Sequence, residues 1–140
     1  MKTYDPAQVV VTFLGNILTG FGPDTFITVE RESDAFTDEV GADGEVARAR
    51  SRDRRGTATL TLLQTSMSND VLSAAAAADE LGGLGAGPLL VKDLNGATLV
   101  AAESTWVQKV ANVEFGAELG TREWMLRCAD VSVLVGGIPA

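Results

Sequence analysis

Five arginines crowd into ten positions: Arg48, Arg50, Arg52, Arg54 and Arg55 in "VARARSRDRR". Guanidinium groups keep their charge at physiological pH and present forked donors that match carboxylates and phosphates. The run could therefore grip an acidic protein surface or a nucleic-acid backbone. The chain carries a net charge of −8; the run holds a local +4, so −12 is spread over the remainder. A body this acidic repels DNA over most of its surface, and no aromatic residues interleave with the arginines to stack on bases. Three readings of the run stay open: a solvated charged arm, a small nucleic-acid-binding module, and a self-assembly contact. The third follows from charge segregation, because a basic arm complements the acidic face of another copy. A contact between two different faces propagates head to tail.

The other parts needed for catalysis are missing. The chain has no histidine, which removes the usual general base, the commonest transition-metal ligand and every Ser-His or Cys-His pair. Cys128 is the single cysteine, so neither an internal disulfide nor a cysteine pair for zinc is possible. Within "WMLRCADVSVLV" it reads as a small buried hydrophobe. Carboxylates cluster in segments such as "ERESDAFTDEV", which read as solvated loops, and "DEVGADGE" misses the calcium-loop ligand pattern. "GGLGAGP" lacks the glycine spacing of a dinucleotide site and reads as a helix stop followed by a flexible connector. The expectation is a protein that is not an enzyme and takes no cofactor or metal. "MKTYDPAQVVVTFL" makes a poor signal peptide, and no apolar stretch approaches the roughly 20 residues of a membrane span. A soluble chain without a cleaved leader is expected.

Elements of a β protein would position the arginines. A length of 140 residues suits a single domain over 1–140, and aromatics at 6% leave the core to aliphatic side chains. Val9, Val11 and Phe13 share one parity of a first strand, and "LGN" signals a hairpin. "FITVER" alternates as a half-buried strand. The arginine run, if extended, places Arg48, Arg50, Arg52 and Arg54 on one face. "GTATLTLLQ" then turns Ala58, Leu60 and Leu62 to the core. "SNDVLSAAAAADELGG" predicts one helix at about 68–81, with Ser68 as N-cap, Asp70 in the first turn and Gly82-Gly83 as the stop. Asn95-Gly96 between apolar runs predicts a hairpin. Trp124, Leu126 and Cys128 keep one parity and Val131, Val133 and Val135 the other, which predicts a break near Asp130.

Three segments, "FITVERESDAFTDEVGADGEVARAR", "SNDVLS" and "GPLLVKDLNG", lie in order within a sequence that resembles, over nearly its whole length, the tail tube proteins of contractile-tailed bacteriophages, a family of phage structural proteins. The resemblance implies a mainly β fold: a β-sandwich or small β-barrel with one flanking α-helix and a long extended hairpin arm. It implies hexameric rings stacked into the inner tail tube, a conduit for DNA ejection inside a sheath. Expected partners are other copies of the chain, the sheath protein, the tape measure, and baseplate or terminator proteins. DNA would pass through the lumen without specific binding. The protein would reside in the virion after assembly in the host cytoplasm. The resemblance leaves one alternative open, a tube subunit of a related bacteriocin or secretion system. The family's arm maps to about 40–57, which makes Arg48, Arg50, Arg52, Arg54 and Arg55 inter-ring contacts, with Asp34, Asp38 or Glu39 of a neighbour as acidic partners.

Overall fold

Strict alternation in β6 (Gly56–Leu63) builds one wall of the core: Ala58, Leu60 and Leu62 are fully buried, while Thr57, Thr59 and Thr61 keep partial contact with solvent. The structure, a computed structural model, describes residues 1–139. Among them lie β1 (Val9–Phe13), β2 (Asn16–Leu18), β3 (Ile27–Arg31), β4 (Phe36–Val40), β5 (Val46–Arg50), β6, α1 (Ser68–Gly82), β7 (Gly87–Asp93), β8 (Leu99–Lys109), β9 (Thr121–Cys128) and β10 (Val131–Leu134). Eight strands form an antiparallel sheet in the order β2-β1-β7-β8-β9-β6-β3, with β10 also paired to β8.

The sheet doubles over because β8 changes partners along its length. Its residues 99–102 pair with β7 on one edge and β10 on the other, whereas residues 105–109 pair with β9. The result is sandwich-like and mainly β, with one helix, as expected. Val11, Phe13, Leu89, Val100, Leu60, Leu62, Trp124 and Leu126 meet in the core. Each such aliphatic or aromatic side chain contributes about 1.5–3 kcal/mol by leaving water. Cys128 is buried beside Thr105, whose hydroxyl donates to Sγ at 3.4 Å, and burial raises the thiol's pKa. The predicted break at Asp130 separates β9 from β10.

Local signals were met in part. The tight two-residue hairpin falls at Leu14-Gly15, both with positive φ (52° and 80°), between the paired residues Phe13 and Asn16. Asn95-Gly96 does join two strands, but within a longer loop over residues 94–98, where Asp93 Oδ1 accepts from the Asn95 amide at 3.0 Å. Ser68 is not the N-cap. It is the first helical residue, buried, and its Oγ accepts from the Thr19 amide at 2.8 Å, so a tertiary bond to the end of β2 takes the hydroxyl that a cap would use. The helix stops at Gly83 with φ 68°, whose amide donates to the Asp79 carbonyl at 2.9 Å. The following "LGAGP" is more than a connector: Gly85 is buried against Ala75 and Asp79 of α1, and Gly87 leaves the space that Leu14 fills.

Candidate assembly arm

Between β3 and β6 the chain leaves the sheet, and β4 and β5 form a two-stranded ribbon of their own. Every residue in both strands is exposed. The turn at residues 41–45 is closed by the Gly41 amide donating to the Glu45 carbonyl at 2.7 Å. The hairpin thus occupies 36–50, nearer the N-terminus than the expected 40–57. Val40 stands at its tip, and Gly56 and Thr57 lie in the main sheet. Its first strand, "FTDEV", hides among acidic residues because neither of its faces meets a core.

Register sorts the arm's faces. Phe36 opposes Arg50, Asp38 opposes Arg48, and Val40 opposes Val46, so these six share one face; Thr37, Glu39, Ala47 and Ala49 take the other. The Arg48 and Arg50 guanidinium carbons lie 4.1 and 5.5 Å from the centroid of the Phe36 ring. Such exposed cation–π contacts contribute roughly 0.5–1 kcal/mol each. They hold the two cations on the apolar face without neutralising them.

The other arginines divide. Arg54 Nε pairs with Asp130 Oδ1 at 2.9 Å. Arg55 clamps Asp53 with both branches of its fork, Nε at 2.9 Å and Nη2 at 3.0 Å, while the Ser33 hydroxyl donates to the same carboxylate at 2.7 Å. The Arg55 bond first, and then the Ser33 bond, hold the Asp53 carboxyl well below the usual carboxylate range; Asp53 in turn raises the Arg55 pKa. Arg127, not singled out by the sequence, pairs with Glu32 at 3.0 Å. Arg127–Glu32 ties the root of the arm to β9, Arg54–Asp130 ties it to the β9–β10 break, and Asp53, held by Arg55 and Ser33, joins the two sides of the root. Arg52 is exposed and enters none of the three ion pairs among the described residues. The five arginines are therefore two devices: Arg54 and Arg55 anchor the root, and Arg48, Arg50 and Arg52 project. Asp34, Asp38 and Glu39 are all exposed and join no ion pair among the described residues; Asp38 sits on the face of Arg48, and Glu39 on the opposite face.

Beside the arm, the outer face of β3-β6-β9 is polar. Cross-strand rows place Glu30, Thr57 and Arg127 together, then Thr28, Thr59 and Met125, then Thr61 and Glu123. Arg127 is occupied by Glu32 and by Thr57 Oγ1 at 3.0 Å, which leaves Glu30 and Glu123 as the exposed charges.

The sandwich-like fold has a solved counterpart. The fold matches the tube-terminating cap of the anti-feeding prophage, solved by cryo-EM, with a TM-score of 0.62 over 96% of this chain and 92% of that one, at 8% identity. The likeness is one of fold. In sequence, the chain is 32% identical over 144 residues to structural protein ORF10 of Pseudomonas phage KPP10, which covers 97% of this chain and 83% of that protein. Its class is therefore that of phage structural proteins. The family model of the bacteriophage PhiTE tail tube protein matches residues 15–136, and the chain belongs to that tail tube family. Its place is the virion tail.

Proposed function

We propose that copies of this chain close into hexameric rings that stack as the inner tube of a contractile tail, and that DNA passes through the lumen on ejection. The observation that carries the reading is the arm: in a tail tube family member, ten strand residues are held in solvent on a root tied to the body by two ion pairs, Arg54–Asp130 and Glu32–Arg127. A hairpin whose strand residues are all exposed, and whose two strands pair only with each other, is suited to a neighbour. Arg48, Arg50 and Arg52 act as the inter-ring contacts, with carboxylates of the adjoining ring as partners. The sheath protein surrounds the tube, the tape measure occupies it before ejection, and baseplate and terminator proteins meet its ends. Assembly takes place in the host cytoplasm. The role is structural, without catalysis, cofactor or metal, in keeping with a chain that has no histidine.

The polar face of β3-β6-β9 suits the lumen wall. Most of this face is threonine and carboxylate, past which phosphates slide without the salt-sensitive binding that unpaired cations add; its Arg127 is paired to Glu32, and the exposed Lys109, opposite Met125, stands at its border on β8. Negative-stain electron microscopy of concentrated protein, with DNA retention measured on the same sample, tests the function. Hollow rings or tubes that retain no DNA are expected. Dispersed protein that binds DNA in low salt would overturn the reading, and a positively charged inner wall in the tube would overturn the lumen assignment.

A further inference from the structure

A groove of about 580 Å³ opens between β3 and the layer formed by β1, β7, β8 and β10. Ile27 and Val29 line one side, and Val100 and Val133 the other. Among the described residues, the charged side chains lining it are Asp24 and Asp93, both acidic. β3 ends the strand order, so among the described residues one of its edges lacks a strand partner. Apolar walls, acidic rims and an open edge describe what the groove would accept: a strand with apolar and cationic side chains on one face.

The chain itself carries such a strand. One face of the β4–β5 hairpin presents Phe36, Val40 and Val46 together with Arg48 and Arg50, and a single carboxylate, Asp38, opposite Arg48, so the face keeps a net positive charge. Val40 and Val46 are 69% and 67% exposed and face each other across the ribbon, an apolar pair at the tip of the arm. We infer that the groove between β3 and the β1-β7-β8-β10 layer receives the β4–β5 hairpin of a second copy of this chain. The valines enter between Val29 and Val133, and the arginines meet Asp24 and Asp93. Arm and groove are different surfaces, so the contact is heterologous and passes from copy to copy, which suits the stacking of one ring on the next. The inference rests on the self-assembly proposed above and names the surface that receives the arm.

A benzophenone amino acid at Val46, with Val40 as a second position, tests it. The modified chain is mixed with an excess of 15N-labelled unmodified chain, assembled and irradiated, and the cross-linked peptides are identified by mass spectrometry. Co-assembly with unmodified chain keeps the tube intact even where the modified chain polymerises poorly alone. The expected products join the arm to 15N-labelled peptides containing residues 24–29, 91–100 or 131–135. Cross-links to other segments of a labelled copy would overturn the groove while leaving the arm as an assembly contact. Tubes that form without any inter-copy cross-link from either position would overturn both.

Discussion

Trp124 Nε1 donates to Asn69 Oδ1 at 2.9 Å, joining the buried face of β9 to the first turn of α1. Trp124 is 2% exposed, so its N–H depends on that oxygen. The Asn69 amide nitrogen also donates to the Leu63 and Ser66 carbonyls, at 3.0 and 3.1 Å. One side chain thus sets the path from β6 into the helix. Asn69→Ala should cost about 1–3 kcal/mol, the range for leaving a buried polar group unpaired. A lower denaturant midpoint with an unchanged slope is the expected measurement. Asn69→Asp keeps an acceptor for Trp124 but loses both donors, so it should recover only part of the loss.

Gly83 and Gly85 give a second, contrasting pair. Gly83 needs its backbone conformation, with φ 68° and open space where a Cβ would project. Gly85 needs the space, because a Cβ there would overlap the Ala75 carbonyl and sit 2.6 Å from the Asp79 Cβ. Gly83→Ala should cost roughly 1–2 kcal/mol for the left-handed conformation, and Gly83→Asn should recover much of that. Gly85→Ala should cost about 1–3 kcal/mol or more by overpacking, and Gly85→Asn should be worse still. Thermal unfolding of the four variants checks the ordering; recovery by asparagine at both positions would contradict it.

What the sequence disclosed follows from which residues answer to a local rule. Ala58, Leu60, Leu62, Trp124, Leu126 and Cys128 lie on the core face because period-two alternation permits one buried side. Ser68 departed from expectation because the Thr19 amide, 49 residues away in sequence, is a better partner for its hydroxyl than its own helix. β4 escaped because an arm with no core face carries no burial pattern. The arginines were visible as a run, but parity could not separate them: Arg54 shares parity with Arg50 and Arg52, yet pairs with Asp130 in the β9–β10 break, far along the chain. Side-chain partners, Asp130 far along the chain for Arg54 and Asp53 close by for Arg55, divided root from tip.

The root of the arm should respond to acid. The Asp53 carboxyl is held below its ordinary range by Arg55 first and then by Ser33. A carboxyl whose folded pKa is depressed stabilises the fold fully above its unfolded pKa of about 3.9 and loses that contribution as pH falls through the folded value. Asp53→Asn should therefore be less stable than the parent by a constant margin above about pH 5, and the margin should shrink progressively below about pH 4. Because the pair is exposed, added salt should narrow the margin as well. Unfolding midpoints of both proteins across pH 2–7 check this; a margin that grows as the pH drops would have the wrong sign.

The projecting cations should matter to assembly and hardly at all to folding. Arg50 rests on the Phe36 ring, and Arg52 enters no ion pair among the described residues. Reversing both, Arg50→Glu with Arg52→Glu, removes contacts that lie in solvent, so stability should change by no more than about 0.5–1 kcal/mol. Each reversal turns an attraction toward a neighbouring acidic surface into a repulsion, which is the strongest way to disfavour a charge-matched contact. The double variant should elute as a folded species with parental circular dichroism and yield no tubes under conditions where the parent forms them. Arg50→Lys with Arg52→Lys keeps the charge but loses the planar fork, and should leave tubes that come apart at lower salt. Tube yield unchanged by the glutamate pair would remove these two residues from the assembly contact, whatever the fate of Arg48.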